Sequence, residues 1–210
     1  MGRVSAALTA AGVRDWLQRF ATAVDEHAGE LTDLDRPIGD SDHGVNLQRG
    51  THAVLAALDA ADPATPGAAL VKAGSTLVST VGGASGPLFG TLLRRTGKAL
   101  GDADPVDAAA LAAGLRAGLD AVTALGGAQV GEATLVDALA PAVEALEAGG
   151  SAQEAAGAAE RGAASTDDLV ARKGRASYLG ERGIGHRDPG AVSIALLFAA
   201  LAGSTAEDGS

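Results

Sequence analysis

Three aspartates, Asp35, Asp40 and Asp42, stand within eight positions in LDRPIGDSDHG (34–44), a stretch broken by Pro37, Gly39 and Gly44. Like charges this close repel one another unless solvent or a cation intervenes. The set is all oxygen, which selects Mg²⁺, Mn²⁺ or Ca²⁺ over Zn²⁺. No glutamate closes a twelve-residue EF-hand loop, so the calcium-loop pattern is absent. Three carboxylates together with ligand phosphates suit one or two Mg²⁺ ions bridging a nucleotide. The competing reading is a solvated acidic turn in which Asp42 merely caps the next helix.

Two further stretches carry chemistry. GGASG (82–86), placed before a helix, offers backbone N–H groups and a helix dipole to an anion, with Ser85 as an added donor. No GxxxxGK[ST] loop occurs, and a tight helix–helix turn is the alternative for GGASG. The segment 173–190 gathers Lys173, Arg175, Arg182, His186 and Arg187 into one Gly-rich loop with Tyr178, the chain's single tyrosine. So many cations in a chain of net charge −10 read as an anion or nucleotide clamp. His43, inside the aspartate stretch, could reach a phosphate. His27 and His52 read as helix-surface or packing residues, and His186 as a polar contact in its loop.

That same net charge excludes a nucleic-acid binder, whose affinity comes from Lys and Arg neutralising phosphates. It also means that an anionic ligand needs a local positive source: a metal, a helix N-terminus or a single arginine. The absence of cysteine removes disulfides, thiolate metal sites and a Cys nucleophile. The N-terminal apolar run is too short and weakly hydrophobic for a secretory signal, and no stretch approaches the ~20 apolar residues of a bilayer span. No membrane role and a cytoplasmic location are the expectation.

Positioning these stretches requires helices. Ala and Gly dominate and aromatics are few, a composition that favours closely packed helices over a sandwich of β-branched strands. Val13, Leu17, Phe20 and Val24 recur at helical spacing and predict a helix over about 9–29 that ends before the aspartates. A second helix should begin near His43 or Gly44 and stop before DPATPG. A third spans about 68–81, and a fourth follows GGASG to about Leu100. Asp104 then Pro105 reads as a cap plus first-turn proline opening a fifth helix through Leu125. Thr134 with Asp137 and Ser151 with Glu154 are capping boxes for a sixth helix and for a seventh reaching about Ala171, roughly 30 Å long at ~1.5 Å per residue. Asp188 then Pro189 launches the eighth, and a frayed tail is expected from Thr205. The pattern is all-α, eight helices without a strand. With short up-down connections, the loops after helices one, three, five (GGAQVGE) and seven all fall at one end. A single site can be built there.

Taken together, LDRPIGDSDHGVNLQRG, VGGASGPLFGT and KGRASYLGERGIGHRDPGA resemble the nucleotide-binding L subunits of bacterial dihydroxyacetone kinases, over nearly the whole chain. Ser41 stands where that family usually has Gly or Ala. The resemblance implies a closed barrel of eight antiparallel helices, one domain over 1–210, with ADP or ATP and two Mg²⁺ ions at one end. It implies that Asp35, Asp40 and Asp42 hold the metals. His43, Gly44, Asn46, Ala84 and Ser85 would line the phosphates, and Gly126 and Leu135 would border the nucleotide. Arg175, Asp188, Pro189 and Gly190 would close over it, with Arg175 acting on the transferred group. In the family branch with separate subunits, bound ADP is recharged by a phosphohistidine carrier, the M subunit. The γ-phosphoryl then passes to dihydroxyacetone on a K subunit; whether the L subunit also forms a homodimer is left open. The alternatives are an ATP-dependent kinase subunit for another small ketose such as erythrulose, a nucleotide-sensing regulatory protein, and the related domain of fatty-acid kinase.

Overall fold

The computed structural model describes residues 7–37 and 39–207. Within them the chain forms eight α-helices: α1 (Ala10–Asp35), α2 (His43–Ala61), α3 (Pro66–Thr80), α4 (Ser85–Leu100), α5 (Ala108–Gly126), α6 (Val136–Glu147), α7 (Ala152–Ser165) and α8 (Pro189–Glu207). Two 3₁₀ segments, Thr166–Asp168 and Arg175–Gly183, lie between α7 and α8. Each helix packs on its neighbours in sequence and α1 packs on α8, so the ring closes. The closure is partly polar: buried Trp16 on α1 donates its indole N–H to the Leu197 carbonyl of α8 at 2.8 Å.

Bulk and small residues divide the packing. Trp16, Phe20, Phe89 and Phe198 are fully buried in one apolar cluster with Leu31, Leu47, Leu70, Leu92, Leu115 and Leu139. Glycines instead set how closely the helices approach. A Cβ on Gly74 of α3 would lie 2.5 Å from the Gly90 carbonyl oxygen, and one on Gly90 of α4 would lie 2.6 Å from that of Gly74. Backbone cannot yield there as a flexible side chain would. Gly74→Ala is therefore expected to cost roughly 1–3 kcal/mol, the scale of overpacking. The check is a lowered urea midpoint at unchanged denaturant slope.

Four boundaries differ from expectation. Helix α1 runs on to Asp35 because Leu31, fully buried, continues its apolar stripe past residue 29. Asp104 and Pro105 open no helix: Val106 pairs with Leu8 through bonds of 2.7 and 2.8 Å, which buries both side chains. Helix α5 starts at Ala108, where Asp107 caps it by accepting from the Ala110 N–H at 2.7 Å. Helix α7 is capped by the expected Ser151–Glu154 box but ends at Ser165, 14 residues or about 21 Å long. There the Ser165 and Thr166 hydroxyls bond back to the Gly162 and Ala163 carbonyls, competing with further helix. At the other end residues 205–207, expected in a frayed tail, belong to α8; residues 208–210 and the N-terminal residues 1–6 lie outside the described range. Helix α5, at 19 residues, is long and apolar enough by length and composition to cross a membrane, although it packs here between α4 and α6.

Candidate functional site

The four connections that follow odd-numbered helices do meet. Together they line one cavity of about 380 Å³, with walls from the α1–α2, α3–α4, α5–α6 and α7–α8 connections and the adjoining helix ends. That volume suits a small-molecule site.

Asp35, Asp40 and Asp42 each offer a carboxylate oxygen, and these atoms all lie within 4.8 Å of one another. Three hard oxygen donors that close fit a divalent cation such as Mg²⁺ and give no reason for a softer metal. Their roles differ. Asp35, 9% exposed, sits on the rigid end of α1, and its Oδ2 accepts from the backbone N–H of Asp42 at 3.0 Å and of His43 at 3.4 Å. It thereby caps α2 from the preceding helix. Asp42 occupies the N-cap position of α2, yet its side chain makes no capping bond. The competing reading of Asp42 as a mere cap thus fails, and its carboxylate is left for the cavity. Asp40 pairs with Arg175, whose guanidinium holds the Asp40 carboxyl below the usual carboxylate range. Asp40 in turn raises the pKa of Arg175. The loop can fold this tightly because Gly39 has no Cβ, which would overlap Asp35 Oδ1. Ser41 adopts φ 62°, a left-handed conformation that glycine takes without strain.

Beside the carboxylates, α4 begins at Ser85 with Ala84 as N-cap and no side-chain cap, so its first N–H groups stay available to an anion at the cavity wall. His43 is buried at the start of α2. Its Nε2 meets Ser193 Oγ at 2.8 Å and its Nδ1 meets Ser85 Oγ at 3.0 Å. Burial pushes its pKa down, against the opposing pull of Asp35 and Asp42. Asn46 accepts from Arg49 at 2.7 Å through Oδ1, which leaves its amide nitrogen beside Gly82.

On the opposite wall, Asp137 is buried and accepts from the Gly131 and Thr134 N–H groups at 2.5 and 2.8 Å, shaping the α5–α6 connection. The Thr134 half of the expected box does not form: its hydroxyl accepts from the Val136 N–H at 3.2 Å, while the Asp137 N–H goes to the Thr134 carbonyl at 3.0 Å. Asp188 caps α8 by accepting from Ala191 N–H at 2.7 Å. Burial of its carboxyl pushes Asp188 up to about 7, with the carboxylates of Asp137 and Asp35 adding to the rise. A folded pKa above the ordinary 3.8 means that the folded state keeps a proton which the unfolded chain releases. The stabilising contribution is therefore present below about pH 4 and lost as pH rises toward 7. Asp188→Asn retains the cap acceptor and should flatten that decline. Thermal melts of nucleotide-free protein from about pH 4 to about pH 8 test this, an unchanged slope counting against it.

Asp35, Asp40, Asp42, His43, Asn46, Ala84, Ser85, Gly126, Leu135, Arg175, Asp188, Pro189 and Gly190 all line the cavity. Gly44 does not. A Cβ there would overlap the Ala28 carbonyl oxygen, so Gly44 is the close-approach point of α1 and α2. The basic cluster also divides. Lys173 and Arg175 line the cavity, with Lys173 Nζ reaching across to Gly127. Arg187 pairs instead with Asp167 at 2.5 Å, and Tyr178 is 85% exposed. Sequence reasoning missed the apolar wall of Leu88, Val122 and Leu125. Those residues sit on helix faces whose periodicity is the same whether they meet core or ligand.

Fold and cavity together define an all-α closed barrel with an acidic, end-on ligand site. The chain belongs to the DAK2 domain family, whose model matches residues 37–203. It is 45% identical over 186 residues to the PEP-dependent dihydroxyacetone kinase 1, ADP-binding subunit DhaL, of Listeria innocua, covering 89% of this chain and 92% of that one. It is 39% identical over 193 residues to the L-erythrulose 1-kinase of Mycolicibacterium smegmatis, covering 88% of this chain and 34% of that protein. Among solved structures it resembles the dihydroxyacetone kinase from C. freundii in complex with AMP-PNP and Mg²⁺, with a TM-score of 0.73 and 26% identity. That match covers 92% of this chain and 34% of the larger one, so the chain corresponds to about a third of that kinase.

Proposed function

We propose that this chain is the ADP-binding subunit of a dihydroxyacetone kinase, acting as one cytoplasmic unit over residues 1–210. One observation carries the reading: the three carboxylate oxygens within 4.8 Å of one another, in a cavity whose next wall is the uncapped N-terminus of α4. Asp35, Asp40 and Asp42 hold two Mg²⁺ ions, which when bound offset the charge of a polyphosphate. The first turn of α4 and the Asn46 amide take phosphate oxygens. Gly126, Leu135 and the apolar wall bracket the base, and Pro189 and Gly190 close the floor. Arg175, on a Gly-rich loop beside Asp40, supplies the mobile positive charge that follows the transferred group. Phosphoryl transfer asks for such positioning and charge stabilisation more than for covalent chemistry by the protein.

Of the cavity's candidate nucleophiles, Lys173 is exposed and His43 has a hydrogen-bond partner at each ring nitrogen, so neither is read as the ketose's covalent anchor; a K subunit supplies it and an M-type phosphohistidine carrier recharges the ADP. The cavity rim supports docking. Val45, Leu125, Val130, Tyr178 and Ile184 are large apolar side chains left exposed, and all lie at helix ends or connections on the cavity side. Similarity to the erythrulose kinase sustains a second reading, an ATP-dependent subunit for another small ketose.

The test loads purified chain with Mg²⁺ and ATP and follows dihydroxyacetone phosphorylation. No product is expected from the chain alone, one turnover with the K subunit, and sustained turnover only with the carrier. Steady formation by the chain alone refutes the assignment. Steady formation with the K subunit and ATP but no carrier moves it to the second reading.

A further inference from the structure

Charge is spread unevenly over this acidic molecule. The chain carries 26 aspartates and glutamates, yet residues 63–101 hold none of them and hold four cations, Lys72, Arg94, Arg95 and Lys98. That stretch contains the α3–α4 hairpin. Thr91, Arg94, Arg95 and Lys98 recur at helical spacing and form one stripe along α4. They line a surface groove of about 380 Å³ to which α5 contributes only Leu125 and two alanines. Arg95 and Lys98 are exposed and Arg94 is half-buried. The Arg94 stem packs over Gly74 of α3, and its Nε is buried without a hydrogen-bond partner among the described residues. None of the three cations makes an ion pair among the described residues. Like charges three and four residues apart weaken a helix slightly, and no acid here offsets them. Leu125, 56% exposed, lines both this groove and the nucleotide cavity, so the stripe starts at the cavity mouth.

We propose that the Arg94–Arg95–Lys98 stripe is the docking surface for the phosphohistidine carrier, receiving acidic side chains that flank its phosphoryl group. The proposal deepens the kinase-subunit reading and rests on it. Charge decides between the two partners of that reading. The K subunit brings an uncharged ketose. The carrier brings an anionic phosphoryl group toward a cavity that already holds Asp35, Asp40 and Asp42, in a chain of net charge −10. That approach is repulsive overall, and a basic stripe beside the mouth supplies the local attraction that raises the encounter rate. The stripe lies on the helix whose uncapped N-terminus forms the cavity wall, so an acidic face seated on it sets the phosphoryl group beside that first turn. The packed stem of Arg94 limits the side-chain freedom lost on docking.

The experiment follows labelled phosphoryl passing from the phosphorylated carrier to the chain loaded with Mg²⁺ and ADP. Wild type is compared with Arg95→Gln plus Lys98→Gln and with Arg95→Glu plus Lys98→Glu. Both positions are exposed, so the variants should melt with the wild type. For the carrier, kcat/KM is expected to fall about 10-fold on neutralisation and about 100-fold on reversal, the range of electrostatic steering, through KM with kcat unchanged. Arg95→Lys plus Lys98→Arg keeps the charge and should keep the rate. The differences should fade as salt is raised to about 0.5 M. ADP affinity and single-turnover transfer from the ATP-loaded chain to the K subunit should not move. Unchanged kcat/KM in the reversed variant overturns the proposal, as does an equal loss in transfer to the K subunit. Inorganic phosphate that abolishes the wild-type advantage at constant ionic strength makes the groove a small-anion site, and self-association lost in the variants makes it a contact with a second copy; either result overturns docking. A wild-type chain that binds ADP but takes no phosphoryl from the carrier sinks the carrier reading itself, and the docking with it.

Discussion

Asp42→Asn is expected to weaken Mg²⁺-dependent ADP binding by at least ~100-fold, the upper range seen when even the outer supports of a metal site are removed. It should shift the melting temperature by no more than about 2 °C. The two halves of that expectation have different causes. Asp42 sits at the N-cap of α2, where an aspartate normally stabilises the helix, yet its side chain makes no cap bond. Asp35 does that work from the end of α1, accepting from the N–H groups of Asp42 and His43. Removing the charge of Asp42 therefore removes a proposed metal ligand without stripping a cap. Asp35→Asn would confound the two. Titration calorimetry with Mg²⁺ and again in excess chelator is the measurement. ADP bound equally tightly in chelator would show that the carboxylates repel the polyphosphate less than supposed and that no metal cradle exists.

Arg175→Ala is expected to lower the rate of phosphoryl transfer by at least ~100-fold with K subunit and carrier present, the scale of deleting one preorganised charge stabiliser. Folding should be spared, because Arg175 opens the short 3₁₀ segment Arg175–Gly183, its side chain is 57% exposed and its ion pair is with Asp40, itself 45% exposed. An exposed pair of that kind contributes little to stability. The same substitution removes the main cause holding the Asp40 carboxyl down, so Asp40 should titrate nearer the ordinary carboxylate range. Arg175→Lys should recover only part of the rate, since an ammonium lacks the planar fork of donors. Normal turnover by Arg175→Ala would remove it from the mechanism. A collapse of its melting temperature would reassign the loss to folding.

Much of the carboxylate cluster was legible before any fold was known, because it is local. Asp35, Asp40, Asp42 and Gly39 are close in the chain, and a loop broken by Pro and Gly cannot carry them far apart. The last-helix start was legible for the same reason: Asp188 and Pro189 are a cap and a first-turn proline, and Asp188 does cap α8. The same signal failed at Asp104–Pro105. There a long-range pairing of Val106 with Leu8 buries two apolar side chains, which a local cap cannot match. The length of α7 was misjudged because Leu169, Val170 and Ala171 extend an apolar pattern past Ser165 while the hydroxyls that stop the helix look harmless in sequence.

By itself the amino-acid sequence determined the helical class, the count of eight, the odd–even rule that sends four loops to one end, and the hard-oxygen character of the site. All of these follow from periodicity, capping chemistry and ligand type, which are properties of neighbouring residues. Only the tertiary structure decided which carboxylate caps and which is left for a ligand, that Gly44 serves the α1–α2 approach, and that Arg187 answers Asp167 while Arg175 answers Asp40. It alone brought Ser193 and Ser85 to the two ring nitrogens of His43. Those assignments depend on which atoms meet across the closed ring, and partners far apart in sequence are chosen by packing geometry that no local pattern encodes.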